Sequence, residues 1–285
     1  MKMNKKSFGE RTGVLCVLLA SVFFSIGGLC VKLIPWSPLA INGARNLIGA
    51  AVIGLYLLIT HYRIRVNLPV IIGALSTMGV TTLFVMANKL TTAANAIVLQ
   101  YTAPVFVIIF MALFFGVRPQ RRDLFTCAAV FLGVCIFFVD GIRAGNMIGN
   151  LIAVLSGVCY AGVFMMNTAR EADPISSCFL GQLAAGILFT PFCLGETDFS
   201  PSTIMIIVIL GVIQVGLAYI LLSVGIRRIN PVTASLITGL EPVMNPLWVA
   251  VFYGETISPF AMVGAVIVVG AILIYNVRKS GTNKE

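Results

Sequence analysis

The sequence predicts an all-α membrane protein of ten transmembrane helices, built as two inverted five-helix repeats around a central cavity. Three observations predict it. Of 285 residues, 59% are hydrophobic and only 10% charged, with a mean hydropathy of +1.03. Lys and Arg alternate in density between successive apolar stretches. And two stretches 138 residues apart read alike.

Composition comes first. A soluble domain carries about 25% charged residues, so this chain has too little charge to coat a water-facing surface. Soluble enzymes, coiled coils, disordered tails and disulfide-stapled modules are excluded. The net charge of +9 does not mark a nucleic-acid partner, because the basic residues sit in short loops with no basic stripe or aromatic-interleaved patch. The seven cysteines lie in apolar stretches without a CxxC pair and read as small apolar fillers. No metal site and no cofactor are expected: there is no Walker-type run, HExxH pair, nucleophile elbow or glycine-rich dinucleotide fingerprint.

The apolar stretches fall at about 12–34, 38–60, 67–88, 92–116, 122–140, 147–168, 174–195, 202–226, 230–254 and 258–277. Each is long enough to cross a bilayer as a helix. Several begin at a proline (Pro38, Pro69, Pro174, Pro201, Pro231, Pro259), where a missing N–H costs nothing. The first stretch is too long for a signal-peptide core and reads as an uncleaved helix.

Counting Lys and Arg on alternate sides gives 15 against 3, with Arg45 inside a span. The basic side faces the cytoplasm by the positive-inside rule. An even number of spans then puts both termini there, in a multi-pass protein of the cell membrane. Lys32 and Lys89 fall near outer helix ends, and Trp36 and Tyr62 read as interfacial belt residues. His61, the only histidine, reads as a solvated loop residue beside Arg63 and Arg65.

The internal repeat aligns the stretch 96–105 (AIVLQYTAPV) with 234–243 (ASLITGLEPV). The same offset pairs Ala112 with Ala250, Phe114 with Phe252 and Gly116 with Gly254. The halves are then 1–140 and 147–285, joined by 141–146. Five spans is an odd number, so the second half enters the membrane from the opposite side. Two oppositely oriented halves are a hallmark of secondary transporters.

With these residues in view, the sequence resembles the drug/metabolite transporter superfamily, specifically its EamA-type ten-helix permeases. The resemblance is carried by the entry to span four with Pro104 and Val105, by Leu240 to Val243 in span nine, by Gly254, Glu255 and Thr256, and by Arg45 early in span two. The first half has Gly116 and Val117 where the family often has Gly-Glu. The resemblance implies two five-helix bundles around a cavity, and transport of small organic solutes, often export of amino acids or related metabolites.

Glu241 is the only acidic residue well inside a span. A carboxylate at mid-membrane should face a cavity, pair with a cation or carry a proton; the reading is a coupling group, the alternative a helix-packing glutamate. Pro104, Pro242 and Pro246 release the carbonyls of Gln100, Thr238 and Pro242 and read as a hinge or site-lining kink, the alternative being a structural kink. Gln100, Tyr101, Tyr160, Gln214, Tyr219 and Asn245 are expected to border the cavity; the alternative for each is interhelical hydrogen bonding, as for Asn88, Asn95, Asn167 and Gln182. Arg45 lies roughly 10 Å inside span two by the helical rise. Snorkelling to the outer interface is its default; otherwise it meets a substrate carboxylate or pairs with Glu241.

The expected function is a secondary transporter of a small organic solute, an amino acid or related metabolite, working by alternating access in the export direction. The partners are that solute, the bilayer and protons, in a monomer or weak homodimer. The alternatives are a lipophilic-cation (multidrug) exporter and a non-transporting sensor or scaffold. An intramembrane enzyme would need a second acidic or histidine group inside the spans, and none is there.

Overall fold

The computed structural model describes residues 5–118, 120–143, 147–166 and 168–254, with scattered positions between 259 and 274. Among them there is no β-strand. Eight helices are long and apolar enough to cross a membrane: α1 (Gly9–Leu33), α2 (Pro38–Ile59), α3 (Leu68–Leu90), α4 (Ala93–Phe115), α6 (Met147–Met165), α7 (Pro174–Gly195), α8 (Pro201–Ile226) and α9 (Pro231–Tyr253). Between α4 and α6 runs α5 (Arg121–Arg143), whose apolar stretch is Leu124–Gly133. Most of the expected tenth span, Glu255, Thr256, Asn167 and the segment 144–146 lie outside the described residues. The protein is a multi-pass membrane protein.

Helix starts follow local chemistry. Ser37, Asn67, Thr92 and Ser200 each accept a hydrogen bond from the backbone N–H three residues on. This satisfies donors that a helix start leaves orphaned. A proline follows within the first turn at Pro38, Pro69, Pro174, Pro201 and Pro231. At the other end, α4 and α9 both stop at a glycine in the left-handed region, Gly116 (φ 63°) and Gly254 (φ 75°). Glycine takes that conformation without a Cβ penalty.

The packing has a regular pattern. Helix α3 lies on α6 and α7, while α8 lies on α1 and α2. Helix α4 touches α6, and α9 touches α1. Helices α2 and α7 pack on each other, as do α4 and α9.

Both ends of the bundle are tied by polar contacts. At one end Arg227, closing α8, donates to Asp173 and to the Tyr62 hydroxyl. That hydroxyl donates to Asp173 Oδ1 (2.8 Å), and Ser176 donates to Oδ2. At the opposite end Lys89 Nζ donates to the Ile34 carbonyl (2.6 Å) and Lys32 Nζ to the Thr91 carbonyl (2.9 Å). Glu196 there accepts the Ser37 N–H (2.8 Å). The Thr203 hydroxyl and Ser200 N–H hold the Asp198 carboxyl below the usual carboxylate range. Trp36, expected in the interfacial belt, is buried instead. Its indole N–H donates to the Asp198 carbonyl (2.7 Å) and its ring meets Phe199 edge to face.

Candidate functional site: a cavity between broken helices

Two helices are interrupted at mid-length. Helix α4 is continuous over Ala93–Gln100, breaks at Tyr101 and Thr102, and resumes over Ala103–Phe115. Helix α9 runs Pro231–Ile237, tightens to a 3-10 turn over Thr238–Leu240, and resumes over Glu241–Tyr253. The prolines explain both breaks. Pro104 and Pro242 sit in the first turn of the resumed helices and cannot bond the carbonyl four residues back. A carbonyl so freed inside a membrane needs another donor. The Thr238 carbonyl has two: the Glu241 N–H, which closes the 3-10 turn, and the Tyr101 hydroxyl, which reaches across from the break in α4. Pro246 lies inside the second segment of α9.

The Tyr101 oxygen also lies 3.1 Å from Glu241 Oε2. Glu241 is 4% exposed and forms part of the wall of a small cavity. The other walls are Phe24 from α1, Arg45 from α2, Val80, Thr81 and Phe84 from α3, Gln100 from α4, Tyr160 from α6, and Gln214 and Tyr219 from α8. The volume open to water centres is about 20 Å³, room for roughly one or two waters. The cavity is contracted here, too small for an organic solute.

Arg45 does not snorkel. It is 1% exposed, and its guanidinium donates to Gln214 Oε1 (3.0 Å), the Thr81 carbonyl (2.8 Å) and Asn42 Oδ1 (3.4 Å). Three polar acceptors inside the bundle hold it where the sequence default would send it to the surface. It does not pair with Glu241 either; its acceptors are all neutral. Gln214 reaches it from a π-helical segment, Leu210–Leu217, in the middle of α8. Such wide turns recur at functional sites.

The structure thus brings Arg45, Gln100, Tyr160, Gln214, Tyr219 and Glu241 around one space. Tyr101 stands beside it, bonded to α9 and edge-on to the Tyr160 ring (centroids 6.3 Å apart). Gln100 also makes an interhelical bond, donating to Ser156 Oγ (2.8 Å). Asn245 is not part of the wall. It is fully buried against Gly28, with neither amide atom hydrogen-bonded. Pro104 and Pro242 are at the breaks and Pro246 is inside the resumed part of α9; none of them is on the wall. Sequence reasoning missed Phe24, Val80, Thr81 and Phe84. Three are apolar residues in apolar spans, and Thr81 contributes a backbone carbonyl that any residue carries; none gave a signal.

Two segments, residues 11–139 and 147–277, each match the EamA-like transporter family. The chain belongs to that family. It is a transmembrane transporter of small solutes, and its relatives are transporters rather than enzymes. The threonine/homoserine exporter RhtA of Escherichia coli (strain K12) is 24% identical over 227 residues, covering 77% of this chain and 75% of that protein. The uncharacterized transporter YwfM of Bacillus subtilis (strain 168) is 24% identical over 273 residues, covering 91% and 92%. One crystal structure superposes with a TM-score of 0.70 at 21% identity, covering 94% of this chain and 98% of that one. At that identity it speaks for the fold alone.

Proposed function

We propose that this EamA-family protein is a secondary transporter that exports an amino acid or related metabolite by alternating access between two inverted five-helix halves. The observation that carries the reading is the cavity itself: Arg45 and Glu241 buried at one central space, flanked by two helices broken at matching positions. Ionisable groups in a membrane interior mark solute or ion pathways.

Ten spans and an inverted repeat, with halves 1–140 and 147–285 joined by 141–146, are supported by several features. The family matches twice, once in each half. The α3–α6 contact has its counterpart in α8–α1, and α3–α7 in α8–α2. Offset by 138, the break at Tyr101 and Thr102 falls on Gly239 and Leu240. The same offset pairs Lys89 with Arg227, and each ties the end of its helix to the segment before α2 or α7. In this reading Pro104, Pro242 and Pro246 are the hinges. The cytoplasmic mouth is the end with Tyr62, Asp173 and Arg227, by the positive-inside count, and both termini are cytoplasmic. Export of an amino acid is supported by the likeness to RhtA, a threonine/homoserine exporter. Glu241 is the coupling group, taking up and releasing a proton as the cavity changes sides. The transporter works in the cell membrane as a monomer or weak homodimer. A lipophilic-cation exporter fits less well, because a cation would enter a space already holding the buried positive charge of Arg45.

The test is flux from proteoliposomes loaded with radiolabelled amino acids across a pH series. Glu241→Gln is expected to slow flux at least about tenfold, a rise of about 1.4 kcal/mol in the barrier, and to flatten its pH dependence. A variant with unchanged rate and unchanged pH profile overturns the coupling role.

A further inference from the structure

The transporter reading leaves open how the solute is recognised. Arg45 sets the problem. A guanidinium has five N–H donors. Three hydrogen bonds are made here, all to uncharged acceptors, and Nε has no partner. Among the described residues no carboxylate stands within ion-pair distance of it. A buried cation without a counter-charge is costly, and the cost falls when something negative enters the space it borders. Glu241 presents the mirror image: its hydrogen-bond partner is the uncharged Tyr101, whose one O–H it shares with the Thr238 carbonyl, and among the described residues no cation stands within ion-pair distance of it.

The two groups stand on α2 and α9, both on the cavity wall and beyond ion-pair distance of each other, with Gln100, Gln214, Tyr160 and Tyr219 lining the same space. A single internal salt bridge would have closed the site electrostatically. Instead each pole is held by neutral groups and left for a ligand.

From this geometry, and resting on the transporter reading above, we propose that the cavity recognises a zwitterionic α-amino acid by both of its charges. The carboxylate goes to the donors Arg45 leaves free, Nε–H first, and the ammonium to Glu241. The planar guanidinium matches a carboxylate better than any other side chain does. A purely anionic solute would satisfy Arg45 but meet Glu241 as a like charge, and a purely cationic one the reverse. The solute side chain falls to the apolar wall of Phe24, Val80 and Phe84, which offers volume rather than hydrogen bonds and so tolerates different side chains. The contracted cavity requires the helices to part as the solute enters.

The ligand side of the test needs no variant. Purified full-length protein in detergent is titrated by thermal shift at about pH 6, where the amines of amino-acid esters stay protonated. The probes are L-threonine, L-threonine methyl ester, which lacks the carboxylate, and N-acetyl-L-threonine, which lacks the ammonium. Glycine and L-leucine vary the side chain. A ligand that binds the folded state raises its apparent stability. The free amino acids are expected to act at concentrations about 10- to 100-fold lower than either blocked derivative, the range of a lost charge-assisted hydrogen bond. Arg45→Gln should erase the preference for threonine over its ester while keeping the preference over N-acetylthreonine; Glu241→Gln should do the opposite. Arg45→Lys keeps the charge without the fork and should recover part of the preference. Equal potency of threonine and its ester on the unaltered protein, or no shift by any free amino acid, overturns the proposal. Flux separates it from the underlying reading. Charge-selective binding without flux in proteoliposomes overturns the transporter reading alone; flux that ignores the blocking groups overturns two-pole recognition alone.

Discussion

Arg227→Ala is expected to lower the stability of the folded protein by about 2–4 kcal/mol, at or below the usual cost of breaking a buried ion pair. Asp173 is 1% exposed, whereas Arg227 is about one-third exposed. Removing the arginine therefore strands the carboxylate, while removing the carboxylate leaves a cation that can turn to water. Tyr62 and Ser176 still donate to Asp173, which holds the loss toward the lower part of that range. Asp173→Asn should cost less than Arg227→Ala, and the double variant should be more stable than Arg227→Ala alone. That ordering is the signature of a stranded charge, and a double-mutant cycle isolates it. The measurement is the thermal unfolding midpoint of purified protein at one fixed scan rate, since membrane proteins unfold irreversibly. Equal midpoints for Arg227→Ala and the unaltered protein would remove Asp173 from the structural account. The same contact ties together the segment after α2, the segment before α7 and the end of α8 at one end of the bundle. Arg227→Ala should therefore also raise the rate at which a cysteine placed on the cavity wall is alkylated from that end.

How far the sequence reached depends on which physical signal each feature leaves in it. Spans are written in hydropathy and prolines, so the starts of α2, α7, α8 and α9 were legible at Pro38, Pro174, Pro201 and Pro231. A buried carboxylate is rare enough in a membrane segment that Glu241 stood out by itself. The break in α9 was legible from Pro242, but the cross-helix partner of the Thr238 carbonyl was not: nothing in the sequence says that Tyr101, 137 residues earlier, reaches it. Arg45 shows the limit most plainly. Its position near a helix end argued for the surface. Its burial depends on three acceptors, Asn42, Thr81 and Gln214. Two of these come from other helices, and Gln214 is held in a π-helical segment with no sequence cue. The apolar wall of Phe24, Val80 and Phe84 was illegible for a different reason: in a chain this hydrophobic, a cavity-facing Phe and a lipid-facing Phe look alike.

Gly43→Ala is the second substitution with a large expected effect, about 3 kcal/mol or somewhat more, at the upper end for overpacking. A Cβ on residue 43 would stand 2.3 Å from the carbonyl carbon of Phe189 and the backbone nitrogen of Thr190. Those atoms are main chain, at the point where α7 passes from α-helix into the 3-10 turn Thr190–Gly195. A side chain could rotate away; a helix backbone can only move as a body, so α2 and α7 must separate along their whole contact. Gly54→Ala on the same helix is the control. Its new Cβ would meet only the edge of the Phe179 ring at 3.3 Å, and a ring can tilt by a few tenths of an ångström. The unfolding midpoint should fall sharply for Gly43→Ala and little for Gly54→Ala; equal falls would mean that the α2–α7 contact yields more easily than its geometry implies. The functional cost should exceed the stability cost. Arg45 is two residues from Gly43, and its 2.8 Å bond to the Thr81 carbonyl and 3.0 Å bond to Gln214 leave little slack. Displacing α2 by about 1 Å is enough to weaken both bonds and to move the cation that the solute carboxylate would meet. Gly43→Ala protein that is still folded at assay temperature should therefore bind L-threonine more weakly than Gly54→Ala does, with the loss in the carboxylate-dependent part of the affinity.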